Sequence, residues 1–224
     1  NTVTGTTPAC FEPAVDYVVV KVARWPFDKF KTADRTLTTA MKSTGEVMAI
    51  GRTVEEGFKK ALRSLDTDIY HHTDINEIRM ILSRPTDERF QTLFDAFRLG
   101  MTVDDVHKLT QIEPFFLEKI QHVVDIELEL REHPTEELVK TAKKFGFTNA
   151  EIHELTGWNI YKIEQLNGLP TYKMVDTCAA EFPAKTPYYY STWEQECELT
   201  DTTNRKVLIL GSGAIRIGQG IEFD

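Results

Sequence analysis

"GMTVDDVHKLTQIEPFFLEKI", residues 100–120, aligns without a gap on "GFTNAEIHELTGWNIYKIEQL", residues 146–166. Six positions are identical: Gly, Thr, His, Leu, Thr and Glu. Most other positions that matter exchange one apolar residue for another. Both copies follow one logic. A Gly ends the preceding helix. Thr102 or Thr148 caps a short new helix, with Asp105 or Glu151 at its third position. His-x-Leu-Thr ends that helix and a second helix follows. A unit this small cannot bury its apolar face alone, so two copies are expected to stack into one helical module.

The surrounding sequence extends the helical reading over residues 67–170. Asp87 and Glu88 suit a helix N-terminus, and Phe90, Leu93, Phe94 and Phe97 fall on one face. Pro114 suits the first turn of a longer helix with Phe116, Leu117, Ile120, Val123 and Val124 on its apolar side. Thr135 with two following glutamates opens another helix, and Gly146 closes it.

The flanks differ. In residues 1–66, Tyr17–Ala23 and Glu46–Ile50 read as strands. Thr53 and Glu56 predict a capping box for a helix whose buried face is Phe58, Ala61, Leu62 and Leu65. Residues 171–205 carry two short strand patterns, around Tyr172 and Tyr188, and read as an ordered linker. Their aromatic content is too high for disorder. In residues 206–224 the run Val207–Leu210 does not alternate, as expected of a strand covered on both faces of a parallel sheet. The expected fold class is mainly α with α/β flanks.

Composition narrows the function classes. The formal net charge of −9 disfavours a phosphate backbone as partner. Three cysteines with no CxxC spacing argue against a disulfide framework or zinc site and suit a reducing, cytoplasmic setting. No apolar run approaches the ~18 residues of a membrane span. The N-terminus has no Met and no signal-peptide pattern, so a piece of something longer is expected.

The C-terminal "GSGAIRIGQGIEFD", residues 211–224, is the sharpest chemical signal. Arg216 stands where a dinucleotide fingerprint needs Gly, and Gln219 where a Walker loop needs Lys. A glycine turn lets backbone amides approach a ligand, and Arg216 offers a bidentate donor to a carboxylate or phosphate. The plainer alternative is a tight connection with a surface Arg.

With its upstream strand this stretch, "RKVLILGSGAIRIGQGIEFD", resembles the opening of the second synthetase half in the large subunit of carbamoyl phosphate synthase. "TPACFEPAVDYVVVKVARWPFDKF" and "TTAMKSTGEVMAIGRTVEEGFKKALRSL" resemble the end of the first half. "DAFRLGMTVDDVHKLTQIEPFFLEKI" resembles the helical connection, or oligomerisation, domain. "YKMVDTCAAEF" and "YYYSTWEQECE" resemble the segment leading into the second half.

The resemblance implies a central slice of that large subunit, flanked by pieces of two ATP-grasp halves. In the family, the first half phosphorylates bicarbonate with ATP and ammonia converts the product to carbamate. The second half phosphorylates carbamate with a second ATP, serving arginine and pyrimidine synthesis. ATP, Mg²⁺ or Mn²⁺, and K⁺ are the implied cofactors of the intact enzyme, none of them bound by this segment, which alone is expected to be inactive. The implied partners are a small glutaminase subunit or domain and further copies of the chain, with no nucleic acid and no membrane. Glu46, Gly220 and Glu222 match positions on the carbamate route, and Arg216 matches the Arg of the second half's entry loop. Such a route wants polar walls, little water and no stray proton donor. Glu46 has a second reading, as an ion-pair partner of Lys42 or Arg52. Ala214 stands where the family often has Pro, which alters loop stiffness only.

Other candidates read as structural. His107 and His153, at equivalent repeat positions, pack within their own units, since no ligand set recurs nearby. His71 and His72 read as surface, and Asp125, Glu127, Glu129, Glu132, Glu136 and Glu137 as a solvated face. Phe90, Phe94, Phe97, Phe115 and Phe116 are core or interface. A competing function is a nucleic-acid or protein-interaction module built on the repeats, without catalysis. Glu118, Lys119, Glu164 and Gln165 make a poor basic face for DNA.

Overall fold

A computed structural model of the chain describes residues 1–65, 71–200, 203–208 and 215–216. The described part is mainly helical with two small sheets. Strands β1 (Val18–Arg24) and β2 (Gly45–Gly51) pair antiparallel, with Val20 opposite Ala49. Alternation puts Val20 and Val47 on the buried face and Val19, Lys21 and Met48 on the exposed one.

Helix α1 (Val54–Ser64) lies across the buried face of this sheet. Gly57 permits the approach: a Cβ there would sit 2.6 Å from Val20 Cγ2. Phe58, Ala61 and Leu65 are buried as the periodicity predicts. The capping box forms only in part. Thr53 accepts from the Glu56 amide, but Glu56 reaches one residue further back, to the Arg52 amide at 2.7 Å. Burial of Glu56 against the second sheet turns its carboxylate that way.

The helical module follows as α2 (Ile75–Leu82), α3 (Arg89–Arg98), α4 (Val103–Thr110), α5 (Pro114–Glu132), α6 (Glu136–Lys144), α7 (Asn149–Thr156) and α8 (Ile160–Asn167). α5 is the axis, packed against α1, α3, α4, α6 and α7. One apolar cluster runs from Val20 and Val47 through Leu93, Leu117 and Val124 to Ile152 and Ile163, so sheet, α1 and module share a core. Phe116 departs from the expected buried face. It and Phe115 are each nearly half exposed, their rings 5.3 Å apart. They occupy the first turn of α5, ahead of the helices that cover the rest of it.

The caps and turn of the short helix are reproduced in both copies of the repeat. Thr102 and Thr148 each form a complete capping box, with Asp105 and Glu151. Thr110 and Thr156 donate to the carbonyls of Val106 and Ile152, and accept from the amides of Ile112 and Trp158. The left-handed residue that ends each short helix is Gln111 in one copy and Gly157 in the other.

Beyond the module, β3 (Thr171–Met174) and β4 (Tyr189–Thr192) form an antiparallel hairpin. Of the parallel strand expected at Val207–Leu210, only Val207 and Leu208 are among the described residues. Val207 and Leu208 are 89% and 85% exposed and outside any strand, and residues 209–210 lie outside the described residues. A run without alternation needs cover on both faces, and no described layer covers these two. The strand that does form downstream, β5 (Ile215–Arg216), joins β2 antiparallel.

Candidate functional site

The edge of the first sheet brings two sequence-predicted positions together. Glu46 pairs in register with Ile215, and Gly45 with Arg216, across 169 and 171 residues of chain (215 − 46, 216 − 45). Gly220 and Glu222 lie outside the described residues.

Alternation turns Glu46 onto the exposed face of β2, where its side chain keeps 43% of its surface open. Its partner is Lys21, at 2.8 Å, rather than Lys42 or Arg52. Lys21 stands opposite Met48, so Lys21 and Glu46 are diagonal neighbours on one face. Lys42 instead bonds Asp34 and the Thr36 carbonyl, and Arg52 pairs with Asp16. The resulting surface holds a half-open carboxylate, a partly offset charge and a short strand edge. It can line a polar passage.

His107 and His153 donate through Nδ1 to the carbonyls of Ile112 and Trp158, at 2.7 and 2.6 Å. These bonds fix the turn inside each unit. Among the described residues no group of three His, Cys, Asp or Glu is arranged to hold a metal. Lys119, the cation of the expected recognition face, is drawn back to Glu55 at 3.4 Å and stacks over Phe115.

Two acidic residues are more structural than their sequence context suggests. Glu127 is buried, not solvated like its neighbours, and takes Arg98 at 2.7 Å and Arg131 at 3.3 Å. Burial pushes its carboxyl pKa up, but the bonds and charge of Arg98 and Arg131 outweigh this and leave it below the ordinary value. Asp95 is buried too, accepting from the His72 amide, His71 Nδ1 and Arg98. His72 is consequently largely covered, and only His71 of that pair is surface. The spacing of Arg98 and Glu127 on different helices hides this network from a linear reading.

Residues 46–169 match the family described as carbamoyl-phosphate synthetase large chain, oligomerisation domain. The whole chain is 89% identical to part of the carbamoyl phosphate synthase large chain of Methanocorpusculum labreanum, spanning 21% of that protein. It is 66% and 68% identical to the same-named proteins of Methanospirillum hungatei JF-1 and Methanoculleus marisnigri, again over all of this chain and 21% of each relative. The chain thus spans about a fifth of the length of these relatives. With a match over most of its length, the chain belongs to the carbamoyl-phosphate synthetase large chain oligomerisation-domain family.

Proposed function

We propose that the chain works as the middle of a carbamoyl phosphate synthase large chain, an ATP-dependent ligase making carbamoyl phosphate from bicarbonate, ammonia and two ATP. In this reading residues 1–66 close the first ATP-grasp half and 67–170 form the connection and oligomerisation domain. Residues 171–205 link onward, and 206–224 open the second half. The helical domain serves self-association, and a glutaminase subunit or domain supplies ammonia. ATP and metal ions belong to the intact enzyme.

The observation that carries the reading is the pairing of Gly45–Glu46 with Ile215–Arg216. It joins the stretch resembling the end of one half to the stretch resembling the start of the other. In this reading Glu46, Arg216, Gly220 and Glu222 line a carbamate passage, as the family resemblance implies. An ionised carboxylate at Glu46 or Glu222 does not protonate an acid-labile anion, and Arg216 can orient it in transit.

The test uses the complete large chain with Glu46→Leu, and Lys21→Met as control. Bicarbonate-dependent ATP consumption should persist in Glu46→Leu while carbamoyl phosphate formed per ATP falls by about tenfold. Lys21→Met removes the ion pair but keeps the carboxylate, and should retain coupling. Unchanged coupling in Glu46→Leu would refute the passage role.

A further inference from the structure

A cavity of about 940 Å³ lies where β1 and the loop after it meet α1, α3, α5 and α7. That volume is in the range of small-molecule sites. Trp25, Phe27, Phe90, Phe94 and Phe147 contribute aromatic wall.

Most cations around it are neutralised. Arg35 is held by Asp87 and Glu88, Arg98 by Asp95 and Glu127, and Lys59 by Glu151. Arg24 is held less closely, by an ion pair with Asp28 at 3.5 Å. It is 8% exposed, yet its contacts are Trp25 O at 3.4 Å and Asp28 Oδ2 at 3.5 Å, both at the outer limit of a hydrogen bond. A guanidinium carries five donors, and buried donors are normally well bonded. Arg63, on the same cavity, has one short bond, to Gly146 O at 2.7 Å, and its nearest carboxylate, Glu151, is 3.7 Å away. Burial lowers its pKa.

We propose that this cavity binds a small oxyanion, phosphate or carboxylate, carried on an aromatic body, with Arg24 as the principal anchor and Arg63 as the second cation. The under-bonded guanidinium supplies the fork that an oxyanion fits bidentately. The rings beside it supply a face for the body of the ligand. The inference does not depend on the function proposed above.

Phenyl phosphate, phenol and inorganic phosphate are titrated against the chain of residues 1–224, with Trp emission as readout. Phenyl phosphate should bind saturably and more tightly than either fragment, and Arg24→Gln should weaken it about tenfold or more. Equal binding of phenol would remove the anion role, and equal binding of inorganic phosphate would remove the aromatic wall. Unchanged affinity in Arg24→Gln, or no saturable binding, would overturn the proposal. If Arg24→Gln does not fold, the wild-type chain labelled at arginine side chains is titrated by NMR. A buried arginine Nε resonance should then move with phenyl phosphate, and its failure to move would be equally fatal.

Discussion

Thr192 Oγ1 donates to Glu56 Oε2 at 3.1 Å, and both side chains are almost wholly buried. Glu56 also takes the Arg52 amide and Lys60 Nζ at 2.8 Å. One carboxylate therefore ties the N-terminus of α1 to β4. Glu56→Ala strands these donors and should cost about 3 kcal/mol, readable as a lowered urea midpoint. Thr192→Val removes only one donor and should cost about 1 kcal/mol.

The repeat glycines make a paired comparison. Gly100 and Gly146 both have positive φ, 80° and 90°. A Cβ on Gly100 meets nothing within 4 Å, whereas on Gly146 it meets Glu56 Cα at 3.1 Å and Glu56 O at 3.2 Å. Gly100→Ala should therefore cost only the backbone strain, about 1 kcal/mol. Gly146→Ala must also move α1 and should cost clearly more. Equal costs in chemical denaturation would contradict the packing.

Gln111 holds φ 59°, where the other copy has Gly157. Gln111→Gly should be neutral or stabilise by up to about 1 kcal/mol, although its amide bonds to His107 O and Lys108 O are lost. Thermal melting of the variant against the parent decides this.

Glu127 sets an acid limb. Its folded pKa lies below its ordinary value of 4.5, so the unfolded chain binds the proton more readily. Its contribution is fully present above pH 4.5 and is lost as pH falls through the lowered folded value. Glu127→Gln should be about 2 kcal/mol less stable at pH 7 and show a flatter decline in acid.

Lys143 gives a slope of the same sign in an alkaline window, where rising pH relieves a burial cost. Burial lowers its pKa to about 8, with its ammonium 4.4 Å above the Trp193 ring and 2.8 Å from Asn149 Oδ1. Between about pH 8 and 10.5 the unfolded chain holds more protons at this site, so stability rises with pH across that window. Lys143→Met should remove part of that rise in urea titrations at stepped pH.

Local rules made the helices legible. Thr102, Thr135 and Thr148 announce their helices because a cap is a three-residue event. The Glu127 network was invisible because Arg98 lies 29 residues away, and only packing brings the two together. Val207 and Leu208 show a further limit: an apolar run reports a need for cover and not where the covering layer lies. For the candidate site, the sequence supplied Glu46 and Arg216 as residues, whereas their shared sheet edge is a long-range pairing with no local signature. The Lys21 partner follows from strand register, which a reading of nearby charges could not supply.

The histidine bond inside each repeat, from His107 to Ile112 O and from His153 to Trp158 O, closes on its own segment. A bend secured from within makes few demands on what lies outside it. The outward surfaces of the two units are then free to diverge in sequence while the corner between their helices stays the same.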